Sequence, residues 1–467
     1  MYRALDTYIK EIDNVMTHPD FYRDESLRLA KYHATVSLGI QLSEQSQSPE
    51  DLTRKWHYLN RLSIIPFYSV ENSLIELMRI RGLLLEQCLR PLAKKLRLKI
   101  GSSSTRKILI IKPGLNLGPE LSSTVAHFKL LSKYFNVTIA CQVHPTPDIV
   151  RGLSDLGFQL ALLPQQIEEM ASAIVNFSPD IVIHSSNQSA VSNTQTLLGA
   201  LRLSPIQIAT TMSPVSTGLR QIDFYLTGRD NELPGFSQKY SESLLFVEGD
   251  INHYDPAFLE GETPELTLST SIDKPTESHL FVGGNFNKIG RPSLEAWLDI
   301  LKATDNTKLV LAPFNPNWQS HYAVNAFKDW IAELCIQSSV NPERIEIIGP
   351  FNSREPILAR VKSASLYLDT FPYSGAVSIL DPITVDTPFI TLEGTEARFR
   401  QASMQAKRHR AIGIAVANKA SYVQRSVEIL NRHDRTVAFR GKDKSNLEVN
   451  NSRESLSDRI LQSILNI

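Results

Sequence analysis

From Lys107 to Gly249 the sequence repeats one pattern, a short β-rich run followed by an amphipathic helical run. KILIIKP precedes LSSTVAHFKLLSKYF, VTIACQV precedes IVRGLSDLGF, and QLALLP precedes QIEEMASAIVNF. DIVIHSS, PIQIATTM, IDFYLTG and SLLFVEG extend the series. Strands separated by helices run parallel, because each helix returns the chain to the starting edge of the sheet. The pattern pauses over NHYDPAFLEGETPELTLSTSIDKPTES, rich in Pro, Thr, Ser and acidic residues, which reads as an interdomain connection. It restarts with HLFVGG, KLVLAPF, RIEIIGP, ASLYLDTF and TPFITLEG as strands, separated by helical runs such as SLEAWLDILKAT. The expected fold is α/β, with two Rossmann-like doubly wound domains in series and a cleft between them. Ligands in such sheets sit at the carboxyl ends of the strands.

Ahead of this stands an all-α region. LRLAKYHATVSLGIQL and ENSLIELMRIRGLLLEQCLRPLAKKL space apolar residues three and four apart, and Ser48-Pro49 suits a helix start. The expected division is a helical domain over 1–104, one Rossmann-like domain over 105–270 and a second over 271–467. The last helix, SLSDRILQSILNI, has Ser455 and Ser457 as candidate N-caps and is expected to pack back on the first Rossmann-like domain.

Composition narrows the function. Lys plus Arg and Asp plus Glu balance at 49 each, without the basic excess of a nucleic-acid binder. The 3 cysteines, Cys88, Cys141 and Cys335, are far apart and form no metal-binding pair, which suits a reducing cytoplasm. The charged amino terminus has no apolar secretion core, and no apolar run reaches the roughly 18 residues of a membrane span. The sequence has no GxxxxGK[ST], and no GxGxxG follows the first strand, which argues against a P-loop NTPase and a dinucleotide enzyme.

Two stretches carry chemistry. LFVGGNFNKIG leaves a strand on Gly283-Gly284 and then displays Asn285, Asn287 and Lys288. Glycines at a strand end let backbone approach a ligand, and a lysine with amides suits a diphosphate, above all a departing one. In LYLDTFPYSGAVSILD, a Pro-Tyr-Ser-Gly turn is expected to open a helix at Gly375, Ala376, Val377 and Ser378. Its free N–H groups would seat phosphate, with Asp381 one turn later placed for ribose hydroxyls. Candidate proton acceptors are His127, His184 (beside Ser185 and Asn187) and Asp223.

These stretches resemble the catalytic region of the O-linked N-acetylglucosamine transferases and the related bacterial protein N-glucosyltransferases. The likeness rests on NFNKIG followed by LEAWLDIL, on RIEIIGPFNSRE, on LDTFPYSGAVSILD and on DTPFITLEGTEARFR. A weaker part is ATTMSPVSTGLRQIDFYLTGRDNELPGFSQKYSESLLFVEG. The resemblance implies a GT-B glycosyltransferase that moves a hexose, glucose or N-acetylglucosamine, from a UDP-sugar with inversion and without metal or other cofactor. The first Rossmann-like domain would then face the acceptor and the second would bind the nucleotide sugar. Lys288 would match the lysine on the leaving diphosphate, Gly375 to Ser378 the phosphate seat and Asp381 the ribose carboxylate. Asn352 and Arg354 fall where the family meets the uracil, and Pro350 beside them is a further candidate for binding the nucleotide. Ala376 stands where the family commonly has a histidine, and Ile357 where it has a base-stacking one. The tetratricopeptide array of the animal enzymes is replaced by about 100 helical residues, as in the bacterial branch. The acceptor expected from the resemblance is an Asn or Ser/Thr side chain of a polypeptide. A glycan or small-molecule acceptor, or a non-catalytic subunit supporting a partner transferase, are the alternatives.

Overall fold

The computed structural model describes residues 7, 24–98, 106–258, 278–314, 324–351, 353–431 and 455–467. Most of the interdomain connection read from the sequence, 259–277, lies outside them. Two parallel sheets form the frame. The first holds β1 (Lys107–Ile111), β2 (Asn136–Cys141), β3 (Gln159–Leu162), β4 (Ile181–His184), β5 (Ile206–Thr210), β6 (Phe224–Gly228) and β7 (Ser243–Val247), in the order β3-β2-β1-β4-β5-β6-β7. The second holds β8 (Ser278–Val282), β9 (Thr307–Leu311), β10 (Ile345–Ile347), β11 (Leu366–Leu368), β12 (Phe389–Leu392) and β13 (Gly413–Val416), in the order β10-β9-β8-β11-β12-β13.

The central strands are apolar on both faces because helices cover both. In β4 all of Ile181 to His184 are buried, which explains a continuous apolar run in place of alternation. Each sheet grows outward from its first strand and then returns to that strand's other side. The reversals fall between β1 and β4 and between β8 and β11. Loops leaving such neighbours diverge and open a crevice at their carboxyl ends. Gly283 follows β8 and Asp369 follows β11, so both chemical stretches leave their sheet at one switch point.

The amino-terminal helices Glu25–Glu44, Pro49–Arg61 and Ile75–Ala93 are capped or opened as their sequences suggest. Asp24 accepts from the N–H groups of Ser26 and Leu27, and Ser48 from that of Asp51. They do not form a separate core. Leu59, Phe67, Leu77 and Leu84 pack in one cluster with Leu109, Val182, Leu198 and Leu219 of the first sheet's layer. Fully buried Arg81 donates to the carbonyls of Ser189 at 2.9 Å and Thr217 at 3.2 Å and to that of Gln188. Contact here is so close that a Cβ on Gly82 would lie 2.0 Å from the Gly218 carbonyl oxygen. The opposite face of that sheet carries helix Leu456–Leu465, opened by a capping box at Ser455, with Ile460 and Leu461 packed beside Val125 and Phe128. Among the described residues no helix is long and apolar enough to cross a membrane.

The two sheets' layers meet through charged residues. Lys239 pairs with Glu396 at 2.8 Å and Arg408 with Asp250 at 2.7 Å. The nearly buried Arg398 donates to the carbonyl oxygens of Tyr68 at 3.0 Å, Val70 at 2.6 Å and Asn72 at 3.2 Å in the helical region.

Candidate active site

After β8 the chain turns sharply through Phe286–Lys288. Asn285 Oδ1 accepts from the Asn287 N–H at 3.2 Å, and the Phe286 N–H reaches the Pro313 carbonyl at 3.0 Å. Both glycines are sterically required. A Cβ on Gly283 would sit 2.9 Å from the Tyr367 hydroxyl, and one on Gly284 would sit 2.4 Å from Cγ2 of Thr370. The turn thereby lies against the loop that leaves β11.

That second loop is held by its first residue. Buried Asp369 accepts from the Gly375 N–H at 2.8 Å through Oδ1 and from the Thr391 hydroxyl at 2.7 Å through Oδ2. Its carbonyl accepts from the Tyr422 hydroxyl at 2.9 Å, and the Ser293 hydroxyl pins Phe371 from the helix that follows Lys288. Burial pushes the Asp369 carboxyl up to about 6, against these hydrogen bonds.

The two loops meet at Lys288. Its ammonium donates to the Ser374 carbonyl at 2.8 Å and lies 4.0 Å from the centre of the Tyr373 ring. Part of the side chain remains open, while its ammonium end is packed in protein, and this desolvation lowers its pKa from 10.5 to about 8. Asp369 opposes that shift electrostatically. The result is a cation at the mouth of a strand switch point, satisfied by one neutral carbonyl and one aromatic face. An anionic oxygen would be a better partner than either.

The other expected site residues are placed as follows. Ala376, Val377 and Ser378 form a turn, with the Leu380 N–H bonded to the Val377 carbonyl at 2.9 Å, and the helix spans only Leu380–Thr384. The expected helix start at Gly375 to Ser378 is therefore corrected to Leu380. Pro382, which lacks an N–H, is tolerated only in a first turn, and that moves the start downstream. Val377 is exposed, and Ser378 lies beside Tyr367. Asp381 is nearly buried and accepts from Arg354 Nε at 2.6 Å, which brings two expected nucleotide contacts together as an ion pair. Pro350 is exposed after β10, and Asn352 lies outside the described residues.

The proton-acceptor candidates do not join Lys288. Asp223 precedes β6, at the amino end of the sheet, where it accepts from Arg202 at 2.7 Å and from the Gln207 N–H at 2.8 Å. Facing away from the carboxyl-end crevice, it is corrected from a catalytic to a structural position. His127 is buried and its Nε2 donates to the Ile251 carbonyl at 2.9 Å. His184 is enclosed at the end of β4. Burial lowers both imidazoles to about 4, so both are neutral near pH 7. Tyr68, Asp369, Tyr373 and Ser374 are the site residues that sequence reading passed over. For the last three the signal was present, since all lie inside the quoted LDTFPYSG stretch. Beside Arg398 a crevice opens between the helical region and both sheets' layers, lined by Ser73, Ser216, Glu232, Lys239 and Glu396.

The fold matches known architecture. The structure superposes on an O-GlcNAc transferase mutant from Thermobaculum terrenum with a TM-score of 0.64 at 19% identity, covering 93% of this chain and 83% of that one. The fold is GT-B. At the level of sequence, the chain is 21% identical over 268 residues to a Solanum lycopersicum protein named "Probable UDP-N-acetylglucosamine–peptide N-acetylglucosaminyltransferase SPINDLY". It is 23% identical over 269 residues to the Arabidopsis thaliana protein of the same name. Each alignment covers 56% of this chain and 27% of the relative, so the chain spans about a quarter of the length of these curated relatives. No family model matches the chain. In GT-B terms, Lys288 and Ser374 stand on the carboxyl-terminal Rossmann-like unit, on the loops that leave its neighbouring strands β8 and β11.

Proposed function

We propose that this chain is an inverting, metal-independent glycosyltransferase that moves a hexose from a UDP-sugar to an Asn or Ser/Thr side chain of a polypeptide. The observation that carries the reading is the meeting of Lys288 with the 373–375 turn, where, among the described residues, the ammonium has a carbonyl and a ring as its partners. A diphosphate would exchange these weak contacts for charge-assisted ones, and its affinity for Lys288 grows as negative charge builds on the leaving oxygen. The names of the relatives, probable UDP-N-acetylglucosamine–peptide N-acetylglucosaminyltransferases, support the donor and acceptor classes. With both histidines enclosed, the departing phosphate is the group that takes the acceptor's proton in this reading.

The test is binding followed by transfer. UDP, GDP and TDP are titrated while the thermal midpoint is followed, because a ligand held only by the native state raises it. UDP is expected to raise the midpoint most. Incubation with UDP-glucose or UDP-N-acetylglucosamine and a peptide library should then give peptides heavier by one hexosyl group. No shift with any nucleotide would overturn the reading in favour of a non-catalytic subunit, and hexose transfer to glycans alone would overturn the acceptor class.

A further inference from the structure

One segment of the helical region, between helices Pro49–Arg61 and Ile75–Ala93, touches both Rossmann-like units beside the site. The Ile64 N–H donates to the Ala190 carbonyl at 2.7 Å, and Ser63 bridges Val191. The hydroxyl of Tyr68 lies 2.7 Å from Ser189 Oγ and 3.5 Å from Asn187 Oδ1, in the loop that follows β4. From the other unit, Arg398 grips the carbonyls of Tyr68, Val70 and Asn72. The Tyr68 ring meets the Tyr373 ring edge-on, with centres 5.5 Å apart and planes at 64°. Tyr373 in turn covers the Lys288 ammonium. Tyr68 is buried, so this ring has one orientation available.

We propose that Tyr68 is a positioning residue of the transfer site: anchored by Ser189, it fixes Tyr373 over Lys288, so the helical domain sets the cation that receives the diphosphate. The inference rests on the reading of Lys288 given above. It also gives the helical region a defined task within the site, since Tyr68 belongs to neither Rossmann-like unit. Without the Tyr68 ring, Tyr373 has lost its edge-on neighbour and water reaches the ammonium.

Among the described residues the groups facing Lys288 are few. Asp369 approaches from the end of β11, with Tyr373 and the Ser374 carbonyl on the same loop. Behind Tyr373 stand Tyr68, Tyr254 and Arg398, and Arg28 of helix Glu25–Glu44 reaches toward Gly290. The removal of Tyr68 alters none of these charges, so it acts on Lys288 through hydration, which favours the ammonium and raises its pKa.

UDP affinity measured by calorimetry from pH 6.5 to 10 reads this directly. The wild type is expected to lose affinity as Lys288 deprotonates near pH 8, and Lys288→Met is expected to lack that limb. In Tyr68→Ala the limb should move up by about one pH unit, a tenfold change in proton affinity, while Tyr68→Phe, which keeps the ring, restores the wild-type midpoint. Tyr373→Leu opens the same cover from the other unit and should shift the limb similarly, with Tyr68→Ala adding nothing in that background. It keeps the test open if Tyr68→Ala does not fold. A wild type whose UDP affinity shows the Lys288 limb, with that limb unmoved in Tyr68→Ala and Tyr373→Leu, overturns the inference and leaves the transferase reading standing. A wild type that binds no UDP overturns both.

Discussion

Replacing Lys288 by methionine should separate stability from function, because the ammonium is held against its own hydration. The drop from 10.5 to about 8 corresponds to roughly 3 kcal/mol of preference for the neutral form, at about 1.4 kcal/mol per tenfold. Part of the side chain is open to solvent, so about half of that is a fair figure. The sign follows from which state holds the proton. Below pH 8 both folded and unfolded chains carry the ammonium, and the folded state bears the full penalty. Between pH 8 and 10.5 the unfolded chain keeps a proton that the folded chain has released, so wild-type stability rises with pH relative to the variant. The loss of the hydrogen bond to the Ser374 carbonyl costs the variant about 1 kcal/mol at every pH. The expected outcome is near-equal stability at pH 7 and a wild-type advantage larger by about 1 kcal/mol at pH 9. Urea denaturation at the two pH values measures it. In parallel, UDP should protect the wild type at pH 7 and fail to protect the variant, whose turnover should fall by a factor of about 10² to 10³. A stability difference that does not change with pH would refute the desolvated ammonium. Equal UDP protection of both proteins would refute its role on the diphosphate.

Other outcomes follow from particular contacts. Gly284→Ala, whose Cβ would meet Thr370 Cγ2 at 2.4 Å, should cost about 1–3 kcal/mol by denaturation, and Thr370→Ala in the same chain should recover part of it. Arg398→Ala removes the donor to three carbonyls of the helical region and leaves Glu396 with Lys239 alone; a loss of about 3–5 kcal/mol is expected, checked by urea denaturation, and an unchanged midpoint would count against the strut. Asp223→Asn should leave turnover and UDP affinity within about twofold, since this carboxylate faces Arg202 at the far end of the sheet, and should lower stability by about 1 kcal/mol or less.

The architecture was legible because the pattern that specifies it is local. A buried strand such as DIVIHSS and an amphipathic run such as QIEEMASAIVNF declare themselves within ten residues, and alternation compels parallel sheets. The glycine pair after β8 was likewise readable, since a strand that ends in Gly-Gly announces close backbone approach. The helix start near Ser378 was misplaced for an equally local reason, the weight of Pro382.

What the chain alone determined, then, is the two parallel sheets and the kinds of side chain delivered to their carboxyl ends. Tertiary structure decided which of those side chains meet. Lys288 and Ser374 are 86 residues apart and touch only because β8 and β11 are neighbours at a strand reversal. Asp223 and His184 both border strands of one sheet, yet the direction of each strand puts one at the amino end and encloses the other at the carboxyl end. Tyr68 carries no sequence signal of its own, because its place beside Tyr373 comes from helix packing that joins the amino-terminal region to both units. Strand identity is set by contacts between near neighbours, whereas a site is set by contacts between distant ones, and only the folded chain brings those within reach.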